Sequence, residues 1–127
     1  MKQTSSQASQ QASQQTSPRT DVRVVLMTVP DEAAAERLAT SFVEERLCAC
    51  VNILPRVTSI YRWQGNVERQ GELLMVLKTT TTRLPTLIAR AQELHPYEVP
   101  ELLALSVEQG LPAYLAWIVN EIDPVVI

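Results

Sequence analysis

The pattern of apolar and polar residues changes period several times along the chain from Asp21 onward. The segment DVRVVLMT is almost continuously apolar and rich in β-branched residues, which predicts a strand covered on both faces. After Pro30 the apolar residues recur every three or four positions, which predicts an amphipathic helix. Proline in the first turn, followed by Asp31 and Glu32, suits the N-terminus of that helix. The apolar stripe consists of Ala35, Leu38, Ala39, Phe42 and Leu47.

A long hairpin is predicted next. The segment CACVNILPRVTSIYRW is long for one strand, and Pro55 lies where a ladder hydrogen bond must be missing, so we expect a bent strand. QGN supplies the turn residues, and VERQGELLMVLKTT returns as the second arm, with residues 72–79 as its buried part.

The remaining segments complete a recognisable order. TTTRLPTLIARAQEL predicts a second helix, capped by a threonine, with Pro85 in its first turn and its end at His95. ELLALSVE predicts a strand and LPAYLAWIVNEI a short C-terminal helix. The order βαββαβ plus one helix predicts an α+β, ferredoxin-like fold, an antiparallel sheet with two helices on one face. One short helix hides only part of the other apolar face, so we also expect an oligomer.

The first twenty residues differ from everything that follows. They contain six Gln, five Ser and three Thr, and no Val, Ile, Leu or aromatic residue. Such a segment buries too little apolar surface to offset its ordering entropy, so we expect a disordered tail over residues 1–20 and a folded domain over residues 21–127. Like a transit peptide, the tail is Ser-rich and lacks acidic residues, but it offers only two basic residues, and a plain soluble tail is favoured.

The net charge and the hydropathy of the chain limit the classes of partner that we expect. Without Lys2 and Arg19, the folded part has 9 basic and 14 acidic side chains, a net charge of −5, which disfavours nucleic acid. The sequence shows neither a secretory h-region nor an apolar run of about 20 residues, so we expect no membrane partner and a cytoplasmic location.

The two cysteines, Cys48 and Cys50, are too close in one extended strand for an ordinary disulfide. Their spacing would direct both thiols to one strand face, where two soft ligands could reach one metal ion. Burial in the core is the favoured interpretation, because free cysteine is among the most buried residue types. With only three Cys and His residues in the chain, a closed zinc site within one chain is not expected.

The single histidine, His95, is predicted at the end of the second helix. There it serves either as a capping imidazolium beside Glu93 or Glu98, or as a metal ligand. The chain has three glycines in all and shows neither a nucleophile elbow nor a phosphate-binding glycine loop. No acid–base pair with a recognisable spacing is visible, so we expect neither enzymatic activity nor an organic cofactor.

Three further side chains have both a structural and a binding interpretation. Lys78 ends a largely apolar strand, where it either extends to water or binds an anion. Tyr61 and Trp63 share one strand face, where packing is the more common role, although Trp63 just before the turn would suit a subunit interface or the rim of a cleft.

Five segments together resemble the CutA family of divalent-ion tolerance proteins, and the resemblance covers residues 22–120. They are MTVPDEAAAERLA, CACVNILPRVTSIYRWQGNVE, LLMVLKTT, HPYEVPE and YLAWI. The resemblance implies a ferredoxin-like subunit in a tight homotrimer, similar in architecture to the PII signalling proteins, with long hairpins that extend across neighbouring subunits. It also implies a response to divalent metal ions, with copper as the best-known ligand.

Only some of the metal-ligand positions of copper-binding family members are matched in this sequence. Copper-binding members have a cysteine where this chain has Met27, and two consecutive histidines where it has Leu94 and His95. Cys50 matches a family cysteine, and Cys48 stands where relatives have alanine. The expected ligands of copper or another divalent ion are therefore His95, Cys50 and Glu98, with Met27 as a weak thioether ligand.

A second set of motif positions implies a cleft between subunits, lined by Tyr61, Trp63, Lys78 and Tyr97. Two functions follow: a trimeric metal-binding protein, or a PII-like signalling or scaffold trimer that holds a small anionic ligand in this cleft. A third interpretation is a stable structural trimer whose partner contacts lie elsewhere, for example on the Gln/Ser tail.

Overall fold

The computed structural model describes residues 20–124. Within this range the element order is the predicted βαββαβ followed by one helix. The elements are β1 (Val22–Val29), α1 (Glu32–Glu44), β2 (Cys50–Trp63), β3 (Asn66–Thr80), α2 (Leu84–Leu94), β4 (Leu103–Ser106) and α3 (Pro112–Ile122). Residues 1–19 of the expected tail lie outside the described range, and Thr20, its last residue, donates its hydroxyl to the Val107 carbonyl at 2.7 Å.

The strands form one antiparallel sheet in the order β2-β3-β1-β4. The α+β, ferredoxin-like prediction is therefore confirmed. The predicted strand ELLALSVE is shorter than expected, since only Leu103–Ser106 pairs with β1.

One face of the sheet is sealed by α1 and α2. Alternate residues of β1 and β3 meet the apolar stripes of both helices in a single cluster, as the period of two along a strand requires. The principal members are Val25, Met27, Val29, Leu38, Phe42, Met75, Leu77, Leu87 and Ala91, each fully buried. At about 1.5–3 kcal/mol for each large side chain, this cluster supplies most of the apolar burial of the protomer.

The opposite face, called here the open face, is covered only at one end. Val22 packs against Ile118 and Ile122 of α3 in a second cluster. Farther along, Leu103 and Leu105, the cross-strand partners of Leu26 and Val24, are 56% and 48% exposed. A single protomer thus leaves an apolar surface that monomers rarely keep in water.

The β2–β3 hairpin bends where Pro55 lies, as predicted. Leu54 pairs with Leu74, but the next pair is Val57 with Glu72, so β2 carries an irregularity at Pro55 and Arg56. Gln64 and Gly65 close the turn with φ angles of 49° and 85°, the left-handed pair that tight hairpins require. Beyond the bulge, the distal hairpin (residues 57–71) exposes large apolar side chains: Ile60, Trp63 and Val67 are 63%, 53% and 67% exposed.

Helix starts differ in detail from the predictions. Helix α1 begins at Glu32, one residue after its N-cap Asp31, whose carboxylate accepts the Ala34 amide at 2.8 Å, so Pro30 precedes the cap. The expected threonine cap of α2 is wrong: the N-cap is Arg83, which makes no side-chain capping bond. The threonine hydroxyls instead bond each other and the C-terminal Asp123.

Candidate functional site

His95 is held at the point where α2 ends. Pro96 follows it and disfavours a further helical turn, so His95 takes an extended backbone conformation as the C-cap. Its ring is buried, 6% exposed, and lies 2.8 Å through Nε2 from the Thr28 carbonyl of β1. The backbone N–H of Tyr97 donates to Nδ1 at 3.0 Å.

These bonds assign the tautomer of the ring. Because Nδ1 of His95 accepts the Tyr97 amide, it carries no proton, and Nε2 is the donor to Thr28. The structure thus replaces the expected capping imidazolium beside Glu93 or Glu98 with a neutral ring whose two nitrogens are both engaged.

The other expected metal ligands lie in different environments. Met27 is fully buried in the helix-covered core, whereas Glu98 is exposed. Cys50 is half-buried, with its sulfur 3.8 Å from the Lys78 ammonium. Within residues 20–124 no three His, Cys, Asp or Glu side chains form a group that could hold a metal ion. The assignment of His95, Cys50, Glu98 and Met27 as ligands stays a prediction.

Cys48 is a core residue, as the favoured interpretation had it. It precedes β2, so strand alternation does not apply to it. It is 1% exposed and packs in the core cluster with α1. Burial, with a smaller contribution from nearby Cys50, raises the pKa of the Cys48 thiol to about 12. At neutral pH this thiol is protonated and is a poor metal ligand.

The four expected cleft residues fall into three places on one protomer. Lys78 lies on the open face, where its ammonium donates to the Asn52 side-chain oxygen at 2.6 Å. Trp63 lies at the hairpin turn, paired with Asn66. At about 3.3 Å per residue, β3 separates Lys78 from Asn66 by roughly 40 Å. Lys78 and Trp63 can share a cleft only if they come from different subunits.

Tyr61 and Tyr97 are joined by a chain of hydrogen bonds. The Tyr61 hydroxyl donates to Gln70 Oε1 at 2.7 Å, and Gln70 Nε2 donates to the Tyr97 oxygen at 3.0 Å. The Tyr97 hydroxyl in turn donates to Glu72 Oε2 at 2.7 Å. Burial, followed by the Glu72 carboxylate, raises the pKa of Tyr97 to about 12. The ring of Tyr97 also lies 4.8 Å from that of His95, centroid to centroid, which connects the chain to the end of α2.

Glu72 ends this chain at a cleft of about 690 Å³ beside the β2 bulge. Although charged, its side chain is 6% exposed. The cleft is lined by Pro30, Glu32, Pro55, Arg56, Val57, Thr58, Gly71, Glu72 and Leu73. Sequence reasoning missed Glu72, Arg56 and Glu32. The available signal was a carboxylate at the start of the apolar run LLMVL, opposite a bulge.

Comparison with protein families gives a match over most of the chain. The family model described as CutA1 divalent ion tolerance protein matches residues 23–121. A relative from Thermus thermophilus, described as divalent-cation tolerance protein CutA, is 55% identical over 95 residues, which cover 75% of this chain and 92% of the relative.

Solved structures agree with the fold. The crystal structure of CutA from Xylella fastidiosa is 44% identical, with a TM-score of 0.80, over 82% of this chain and all of that one. The structure described as the periplasmic divalent cation tolerance protein CutA from Archaeoglobus fulgidus is 30% identical, with a TM-score of 0.78, over 80% of this chain and 99% of that one. No helix between residues 20 and 124 is both long and apolar enough to cross a bilayer.

Proposed function

Because this chain belongs to the CutA1 divalent ion tolerance protein family, we propose that it acts as a homotrimer in the cellular response to divalent metal ions. The trimer is supported by two apolar surfaces that one protomer leaves uncovered, the open face around Leu103 and Leu105 and the distal hairpin around Ile60. Neighbouring subunits that cover both would remove the edge strand and the apolar patches from water.

The metal proposal assigns His95 as the central ligand of copper or another divalent ion. One of its ring nitrogens must exchange its present partner, the Thr28 carbonyl or the Tyr97 amide, for the metal. Such an exchange costs a buried hydrogen bond, worth about 1 kcal/mol. Cys50 and Glu98 complete the set only where neighbouring subunits bring them to His95, because residues 20–124 of one protomer do not group them. The thioether of Met27 favours Cu(I) over Cu(II).

Calorimetric titration of the assembled protein with Cu(II) tests the metal proposal. We expect submicromolar binding in the wild type and its loss in His95→Ala. The double variant Met27→Cys, Leu94→His restores the cysteine and paired histidines that copper-binding relatives are expected to carry, so it should bind more tightly than the wild type. Weak binding that is the same in all three proteins would exclude His95 as a ligand.

A second function is favoured by one observation, the ammonium group of Lys78 on the open face. In this proposal the trimer is a PII-like signalling or scaffold protein that holds a small anionic ligand between subunits, with Lys78 of one subunit near Trp63 of another. Lys78 has an exposed hydrogen bond to Asn52 that an anion could replace.

A thermal-shift screen of small carboxylates and phosphates, run in parallel on Lys78→Met, tests this second function. A ligand that raises the melting temperature of the wild type and leaves that of Lys78→Met unchanged supports it. Asn52→Ala serves as the control, because it removes the partner of Lys78 while the ammonium group stays. A screen without any Lys78-dependent ligand counts against the anion site.

We assign the protein no enzymatic role, a cytoplasmic location, and neither nucleic acid nor membrane as a partner. The family description refers to tolerance rather than to a reaction. The net charge of −5 over residues 21–127 repels a phosphate backbone.

A further inference from the structure

The cleft beside the β2 bulge combines charges of both signs without pairing them. The residues that line it include the acidic Glu72 and Glu32 and the basic Arg56. The ion pairs formed within residues 20–124 involve other side chains, at Arg83 and Arg90. None of the three charged groups of the cleft is therefore neutralised by a neighbour in the described part of the chain.

Of the three charged residues, Glu72 has the greatest need of a hydrogen-bonding or oppositely charged partner. A carboxylate that is 6% exposed needs hydrogen bonds or an opposite charge, because burial removes its hydration. Its one hydrogen-bond partner within residues 20–124 is the Tyr97 hydroxyl, which reaches Oε2. The Tyr97 hydroxyl in turn accepts a hydrogen bond from Gln70. Tyr97 and Gln70 therefore fix the position of the Glu72 carboxylate, and Glu72 lines the cleft.

Between the charges, the cleft wall is aliphatic. Pro30, Pro55, Val57 and Leu73 contribute apolar surface, and Thr58 adds a hydroxyl. A ligand with two polar ends joined by a short aliphatic chain matches this distribution, since binding sites combine apolar walls with a few directional polar groups.

We propose that this cleft binds a small zwitterion, an aliphatic amino acid whose ammonium group contacts Glu72 and whose carboxylate contacts Arg56. Glu32, another residue that lines the cleft, adds a second acceptor for the ammonium group. This site goes beyond the second proposed function, because it holds a zwitterion at the bulge and not an anion near Lys78.

The probes are 5-aminopentanoate and its two singly charged analogues, pentanoate and pentylamine, each titrated calorimetrically into the full-length assembled protein. We expect saturable binding of 5-aminopentanoate, one per protomer, and at least tenfold weaker binding of both analogues, because each leaves one charge of the cleft unpaired.

Two charge-neutral variants assign the contacts. Glu72→Gln and Arg56→Gln should each weaken 5-aminopentanoate binding at least tenfold. Glu68→Gln, an exposed change on the same hairpin, is the matched control and should leave it unchanged. Arg56 is exposed, so Arg56→Gln should fold normally. It therefore still tests the site if Glu72→Gln, a change at a buried residue, impairs folding.

Three results would overturn the zwitterion site: equal binding of the three probes, equal binding of 5-aminopentanoate to wild type and Arg56→Gln, or no binding of 5-aminopentanoate at millimolar concentration. The last result would show that the cleft does not hold a zwitterion in the assembled protein. A Lys78-dependent anion found in the thermal-shift screen would then keep the second function while the zwitterion fails, and an empty screen would remove both.

Discussion

The two halves of strand β3 lie in one continuous hairpin arm but in different surroundings. From Glu72 to Thr80 its side chains are buried or half-buried. Those on one side pack against β1, α1 and α2, and those on the other side belong to the open face. From Asn66 to Gly71 they are almost all exposed. The boundary is the bulge at Pro55 and Arg56 on the paired strand. Packing within one protomer therefore explains the inner half, and the outer half needs a second subunit for the same kind of burial.

The largest expected effect lies in the inner half. Leu77→Ala should lower the free energy of unfolding by about 3 kcal/mol, because Leu77 is fully buried and its loss leaves a cavity. Guanidinium unfolding at several protomer concentrations measures this, and we expect the same loss at each concentration. Ile60→Ala in the outer half is the control: its effect should depend on concentration, since it acts through assembly. Concentration-independent losses at both sites would erase the distinction between the halves.

An intermediate effect is expected on assembly. Ile60→Lys places an ammonium group on a side chain that is 63% exposed in the protomer and that we propose is covered in the trimer. The trimer should dissociate at protomer concentrations at least tenfold higher than for the wild type, because a desolvated lysine would be left unpaired. Sedimentation over a dilution series measures the mass. Glu68→Gln should keep the mass of the wild type, and an unchanged mass in Ile60→Lys would contradict the proposed interface.

The smallest expected effect is a change in pH dependence at the boundary. The pKa of Tyr97 is raised from 10.0 to about 12, so the folded state keeps a proton that the unfolded state loses. The contribution is fully present below pH 10 and is lost as the pH rises through about 12. Melting temperatures measured at pH 8 and pH 11 should therefore fall less in Tyr97→Phe than in the wild type. Equal falls would mean that the raised pKa of Tyr97, caused by burial and then by Glu72, does not affect alkaline stability.

Most of the fold was predictable because local patterns specify it. The almost continuously apolar segment DVRVVLMT, the proline within the second strand and the QGN turn predicted the sheet and its bent hairpin. Exact helix caps were less predictable, because several threonines precede Arg83 and each could cap α2. In the folded chain Arg83 is the N-cap, and threonine hydroxyls bond other groups.

The site was less predictable because its contacts join distant parts of the chain. His95 meets Thr28 across 67 positions, and no local pattern reveals that both ring nitrogens are engaged. The burial of Glu72 was predicted with residues 72–79, but its neighbours in sequence do not reveal that it lines a cleft. Motif positions located Tyr61, Trp63, Lys78 and Tyr97 in the sequence, but strand length decides that Trp63 and Lys78 lie far apart in one protomer.

The backbone conformation of Arg56 affects the stability of the fold as well as the cleft. Its φ of 59° lies in the left-handed region, where any side chain with a Cβ is less stable than glycine, by about 1–2 kcal/mol. A sequence optimised for stability alone would carry glycine here. Engineering for thermal resistance would begin with Arg56→Gly, and the function lost with that change would show what the strained residue contributes.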